Sequence, residues 1–460
     1  MTMVLDDSRR FKNCPLVVVP VLEIRAIALR DSHGLLNTER DTDMITGVRW
    51  RPFCLAVSVG DLSYFQRRHP MRKEQLSRRA FLKSSSWAGM GALAGTCVAG
   101  RASSGKPVET AKILNYHPKM HYRRLGKTGL VLSEIGLGGH WKAPWQEHAQ
   151  GWWWGKFIDD KDPVVPEKVA QNRHEVVSAC LEAGVNHLDI TGLAEAMAFG
   201  AALKGRREKM VVAADDYKKC PRHPQYCNVA SQIENVENCL KALGSDYIDI
   251  WRPQAKMDGT NTDADIEMMV ETFEQLKKAG KARHLGVSSH TSRWLQHAIE
   301  KYPQFEMIIF PCTAKTKSKT QPPVGDNVEI LNSQKNGLVD VSLFDVAQKH
   351  DVGVITIKPF FGGSLFASHN QVKTGAWGVG NKLENDLARL TLQSILSKEG
   401  VTAVIPGVST VYEAENAVLA SYTRPLPVTA ADKVWLEAQI QQRWADLPAE
   451  YQWLREWEYV

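Results

Sequence analysis

Residues 231–288 read SQIENVENCLKALGSDYIDIWRPQAKMDGTNTDADIEMMVETFEQLKKAGKARHLGVS. Ser231 followed three residues later by Glu234 has the form of a capping box, and Ile233, Val236, Leu240 and Leu243 then recur at helical spacing until Gly244 stops the run. A short apolar strand at 247–251 follows. Ile266, Met269, Val270, Phe273 and Leu276 form a second helical face that ends at Gly280, and residues 284–288 read as the next strand. Helix, strand, helix, strand with short connections is the repeating unit of a parallel sheet covered by helices.

The same alternation extends in both directions. Strands are expected at 134–137, 186–190, 210–214, 247–251, 284–288, 307–310, 353–357 and 403–406, with a further amphipathic run through Leu383, Leu387, Leu390 and Ile395 before Gly400. Ahead of them, 121–134 reads as a hairpin around Gly126-Lys127-Thr128-Gly129. Eight strand–helix units over about 300 residues predict a closed (β/α)8 TIM barrel with an N-terminal β-hairpin. An open doubly wound sheet has the same alternation, but no Gly-x-Gly-x-x-Gly turn follows the first strand to bind a dinucleotide in the Rossmann manner.

The chain has 460 residues, 43% hydrophobic and 23% charged, with a formal charge of +6. That is the make-up of a globular protein, and its scattered cations carry no nucleic-acid-binding motif. No run of eighteen apolar residues is present, so no stable membrane span is expected. Cys220, His223 and Cys227 lie close together, but their spacing fits no standard metal site and they read as ordinary loop residues.

Before the barrel the chain reads differently. Ser77-Arg78-Arg79-Ala80-Phe81-Leu82-Lys83, followed by a weakly apolar stretch rich in small residues, looks like a twin-arginine signal spanning 71–102. It predicts engagement of the twin-arginine translocase and a periplasmic or secreted product, with a cytoplasmic protein as the alternative. Residues 1–70 show no sustained periodicity and read as an over-extended or disordered N-terminus, or as a small extra domain. The barrel is expected over 121–425 and a helical tail over 426–460.

Five segments together resemble the aldo-keto reductases. Tyr122 to Leu130 with Ser133 to Gly139 is similar to that family's opening hairpin and first strand, Ala183 to Asp189 to its second strand and Gly280 to Ser289 to its fifth. Gly353 to Pro359 is similar to its seventh strand and Val401 to Ser409 to its eighth. The resemblance implies NADP(H)-linked reduction of carbonyls. A Tyr supplies the proton, a Lys oriented by an Asp lowers its pKa, and a His fixes the carbonyl. Asp189 stands at the family's Asp position. The Tyr position is Ala194, the Lys position is Asp215 and the His position is Gln254.

On the cofactor side the resemblance assigns Ser288 and Ser289 to the carboxamide, Lys358 to the end of the seventh strand, and Gly407, Ser409, Thr410, Glu415 and Asn416 to the phosphate and adenine region. Tyr217 with Lys218, and His140, are offered by the sequence as relocated catalytic groups or as ordinary loop residues. Asp189, Asp215 and Asp216 crowd one rim, which raises a pKa or recruits a cation or polyhydroxy ligand. Trp141, Trp145, Trp152, Trp153 and Trp154 read as rim packing or a stacking surface, and 314–337, with Lys315, Lys317 and Lys319, as a solvated loop or a lid. Three functions follow: an exported oxidoreductase with altered chemistry on a small-molecule substrate, a non-catalytic barrel that binds a nucleotide, a sugar-like ligand or a protein partner, or a lyase or isomerase that uses the acidic rim.

Overall fold

A computed structural model of the protein describes residues 110, 113–141, 164–317, 341–366, 382–424 and 428–460. The expectations for 1–70, for 71–102, for Trp145 and Trp152 to Trp154, and for Lys319 lie outside the described residues.

Two antiparallel strands open the described fold, β1 (Tyr122–Arg124) and β2 (Val131–Ser133), with Tyr122 opposite Ser133. Between them the chain turns through Gly126–Thr128, and Gly129 takes φ 76°, a conformation that favours glycine. Eight parallel strands follow: β3 (Leu137–Gly138), β4 (His187–Ile190), β5 (Val211–Ala214), β6 (Ile248–Trp251), β7 (Ala282–Ser288), β8 (Met307–Pro311), β9 (Gly353–Ile357) and β10 (Val401–Val404). They pair in chain order from β3 to β10. Ile135 bridges Val404, with Gly136 N–H donating to Val404 O and Val404 N–H to Glu134 O, each at 2.9 Å, which closes the ring.

Each barrel strand is followed by one described helix: α1 (Glu167–Glu182), α2 (Leu193–Leu203), α3 (Val229–Leu243), α4 (Asp263–Lys278), α5 (Ser292–Lys301), α6 (Leu343–Lys349), α7 (Lys382–Leu396) and α8 (Val411–Tyr422). A further helix, α9 (Ala430–Ala445), precedes a 3₁₀ segment at Ala449–Trp457.

Three expectations are corrected. The start of α3 is not capped at Ser231: Asn228 is the N-cap and its side chain accepts from Ser231 N–H, so the helix begins three residues earlier. The eighth barrel strand is Val401–Val404 rather than 403–406, because the ladder with β9 shifts register between Val401 and Ala403. Lys315 is not a solvated loop lysine, since it is largely covered and its Nζ donates to Glu437 and Gln441; Lys317 stays partly exposed, with its Nζ donating to the Tyr459 hydroxyl at 2.7 Å.

The apolar residues form distinct layers. Val211, Ala213, Ile250, Met307, Ile309, Ile355 and Ile405 fill the inside of the barrel, and Leu125 and Leu132 of the hairpin plug its base. The outer layer lies between strands and helices. A third cluster, Phe361, Leu365, Leu387, Leu436, Ile440, Trp444 and Leu454, fixes α9 and the final segment against α7 and the loop after β9. That loop is at the C-terminal ends of the strands, the end at which barrels of this type carry their chemistry.

Candidate active site

Asp189 is the third residue of β4, buried on the inner face near the strand's C-terminal end. The guanidinium of Arg252, the residue after β6, lies on it: Nε donates to Oδ1 at 2.6 Å and a terminal nitrogen to Oδ2 at 3.2 Å, with a further bond of 3.0 Å to Ile190 O. Both side chains are almost wholly buried. Burial raises the Asp189 carboxyl and Arg252 opposes the shift. A buried charge needs a partner, and here each member supplies the other's.

Asp215 follows β5. Its Oδ2 accepts from Gln254 N–H at 3.0 Å and its Oδ1 from Asn235 Nδ2 at 2.9 Å. Burial pushes it up to about 7, with Arg252 opposing and neighbouring Asp216 adding to the rise. The structure thus brings Asp189, Asp215 and Gln254 together around Arg252. Gln254 bridges Ser288 across the ladder, and its Nε2 is a buried donor without a hydrogen-bond partner among the described residues. Ser289 is fully buried, with its hydroxyl accepting from Thr291 N–H at 3.0 Å.

Tyr217 is anchored by its backbone N–H to Thr191 O at 2.9 Å, and its ring lies where a Cβ on Gly192 would meet it at 3.3 Å. Its carbonyl accepts from Cys220 Sγ and lies 2.9 Å from His223 Nε2, while Cys227 Sγ donates to Asp265. The two thiols and the imidazole therefore do not converge. Asp216 is buried beside this turn, with Lys218 N–H donating to it at 3.3 Å.

Lys358 follows β9 with φ 63°, unusual for a residue with a side chain. Burial lowers its ammonium to about 8, Glu195 pulling upward and Arg222 downward. His290, after β7, stacks on Trp453 of the final segment with ring centroids 4.4 Å apart, and burial pushes it down to about 3. His140, after β3, has Nδ1 3.0 Å from Thr191 Oγ1. Thr191 in turn bonds Glu195, a fully buried carboxyl that burial raises to about 8.

The loop after β10 is built differently. Gly407 is exposed. Ser409 and Thr410 N–H groups both donate to the Glu413 carboxylate, at 2.6 and 3.2 Å, and Thr410 caps α8. From below, the buried Arg173 donates to Val408 O at 3.0 Å and Ser409 O at 2.9 Å, with its guanidinium 4.4 Å above the Trp141 ring. Trp141 is thus rim packing. Glu415 is exposed on α8, and Asn416 Nδ2 donates to Asn385 O at 3.2 Å.

Arg252, Glu195 and Thr191 escape a reading by motif. Their signals are local: Arg252 is a charge directly after a buried strand, and Glu195 is the one acid in the apolar, alanine-rich run LAEAMAFGAAL. What the assembly offers chemically is a fixed cation–carboxylate pair beside two carboxyls that hold protons near neutrality.

The Aldo/keto reductase family model matches residues 159–432. The Aldo-keto reductase YhdN of Bacillus subtilis (strain 168) is 31% identical over 180 residues, 37% of this chain and 47% of that protein. The uncharacterized oxidoreductase YqkF of the same organism is 23% identical over 190 residues, 40% of this chain and 53% of that protein. The chain thus spans about half the length of these curated relatives. Among solved structures, the holo form of the aldo-keto reductase AKR11C1 of Bacillus halodurans is 21% identical with a TM-score of 0.46, covering 70% of this chain and 96% of that one. An aldo-keto reductase of Klebsiella pneumoniae in complex with NADPH is 17% identical with a TM-score of 0.47, covering 69% and 94%.

Proposed function

Since the chain belongs to the aldo/keto reductase family, we propose that it is an exported, NADP(H)-linked oxidoreductase that interconverts a small-molecule carbonyl and its alcohol with an altered catalytic set. The observation that carries this reading is the buried Asp189–Arg252 pair. At the family's Asp position the carboxylate still holds a cation, but the cation is a guanidinium from the end of β6 rather than a lysine from the end of β5. A guanidinium keeps its proton at any physiological pH, so it serves as fixed charge and orientation, not as an acid or base.

The residues present fit a nicotinamide dinucleotide. Ser288 and Gln254 would hold the carboxamide, whose oxygen would satisfy the orphaned Gln254 Nε2. Gly407, the exposed residue of the loop after β10, would lie along the phosphates, where a residue without a side chain permits close approach, with Ser409 and Thr410 behind it. When bound, the reduced ring supplies the hydride. Arg252 and Asp189 then fix the polar floor, and Lys358 contributes positive charge at the rim.

The test is direct. Full-length protein is titrated with NADPH while tryptophan fluorescence is followed, and a panel of aldehydes, ketones and alcohols is then assayed. Saturable quenching followed by turnover is expected. No quenching at millimolar NADPH refutes the oxidoreductase reading, and binding without any turnover favours a binding barrel. The export part of the proposal rests on Ser77 to Lys83 and is tested separately below.

A further inference from the structure

Thr191, the residue after β4, is the middle of a short polar chain. Its Oγ1 is 3.0 Å from His140 Nδ1 on one side and 3.0 and 2.9 Å from Glu195 Oε1 and Oε2 on the other. Its backbone N–H donates to Glu195 Oε2 at 2.7 Å, which fixes the carboxyl, and His140 Nδ1 is 3.4 Å from Glu195 Oε1. Glu195 is completely buried, whereas 33% of the His140 side chain is exposed. The backbone before His140 leaves room for this contact: a Cβ on Gly139 would lie 1.8 Å from Glu195 Oε2.

The charges around the chain give it a direction. Burial is the main cause that raises Glu195 to about 8; the Thr191 bonds oppose it, Asp189 adds to it and Arg252 opposes it. Glu195 therefore carries a proton at neutral pH. His140 is held well below its ordinary value by burial and then by Lys358, Arg252, His290 and Arg222, so its ring is neutral. Toward an ionised Glu195 the Thr191 hydroxyl is the donor; once the carboxyl holds its proton the hydroxyl turns, accepts from it and donates to Nδ1, which puts the imidazole's own proton on Nε2.

We propose that Glu195, Thr191 and His140 form a proton wire that supplies the proton of carbonyl reduction, with His140 as the catalytic residue and Thr191 and Glu195 as positioning and storage groups behind it. This rests on the oxidoreductase reading. In the step, a bound reduced dinucleotide would supply hydride to the carbonyl carbon, whose π pair would move to oxygen. The oxygen takes the Nε2 proton of His140, Nδ1 takes the hydroxyl proton of Thr191, and Oγ1 takes the proton of Glu195. The products are an alcohol, an oxidised dinucleotide and a Glu195 carboxylate; because only the His140 end of the chain reaches solvent, the proton returns there, Nε2 taking it while Nδ1 and Thr191 Oγ1 pass theirs back to Glu195. Lys358 and Arg252, the cations acting on Glu195 and His140, favour that carboxylate. Alcohol oxidation runs the wire in reverse.

Infrared spectroscopy reads the stored proton without turnover. Asp215 also holds a proton at about pH 6, so the reading is the wild-type-minus-Glu195→Gln difference spectrum, which is expected to contain a protonated-carboxyl stretch that titrates away near about 8. Thr191→Val, which cuts the wire, is expected to lower kcat about 100-fold with the Kd for NADPH unchanged, and Thr191→Ser to restore it. Glu195→Gln is expected to remove the alkaline limb of the kcat–pH profile. The wire is overturned if the difference spectrum lacks the stretch, if Thr191→Val keeps its kcat, or if the alkaline limb survives in Glu195→Gln. A wild type that shows the stretch but binds no NADPH overturns the oxidoreductase reading itself, and the wire with it.

Discussion

Glu413 holds the N–H groups of Ser409 and Thr410, so a phosphate approaching the start of α8 meets a carboxylate already in place. Glu413→Gln keeps an acceptor and removes the charge. The Kd for NADPH is expected to fall roughly fivefold, about 1 kcal/mol, by fluorescence titration; an unchanged value would argue against phosphate binding at this turn. Asp189→Asn strands Arg252 as a buried charge and is expected to cost about 3–5 kcal/mol in urea unfolding, partly recovered by adding Arg252→Leu. Glu195 and Asp215, at about 8 and about 7, bind protons more tightly folded than unfolded. Their stabilising contribution is therefore complete below about pH 4 and lost as pH rises through about 7 to 8. Urea midpoints should decline across that window, and less steeply in Glu195→Gln; equal slopes would contradict the raised value. Asp189 was legible because the second-strand motif ends on it. Arg252 was not, because motif spacing points to Gln254, two residues on, whereas packing aims Arg252 back at Asp189.

At the level of elements, periodicity locates strands and helices, and hydrogen-bond partners decide where they end. β9 falls where its sequence predicts it, at Gly353–Ile357. β3 shrinks to Leu137–Gly138 because the preceding residues bridge Val404 as the closing seam. The sequence pattern put the cap of α3 at Ser231. Asn228 prevails: helix from Val229 onward lets Gln232 Nε2 reach Tyr226 O at 2.7 Å and Lys219 O at 2.8 Å, tying the preceding loop to the helix. Asn228→Ala is expected to cost about 1 kcal/mol and Ser231→Ala little, read from thermal unfolding. The reverse order would restore the cap to Ser231.

Across the whole molecule, the alternation of eight units, taken with the missing Gly-x-Gly-x-x-Gly turn and the five family-like segments, specified the barrel, but not what covers its mouth. The final segment has no motif, and its role emerges only from packing: Trp453 lies on His290, and Tyr451 lies against Gly362, where a Cβ would come within 2.0 Å of the ring. The export proposal also belongs to this scale. Arg78→Lys with Arg79→Lys is expected to leave the precursor in the cytoplasm on cell fractionation, and normal secretion would refute the signal.

The hairpin that plugs the barrel has a consequence for synthesis. Arg124 pairs with Asp351, 227 residues later, and Leu125 packs where a Cβ on Gly353 would come within 2.4 Å of it. At about 5–20 residues per second, a nascent chain waits roughly 10–45 s between making the plug and making the floor it fits. During that interval Leu125 and Leu132, buried in the finished fold, have no barrel to enter and stay exposed on the nascent chain.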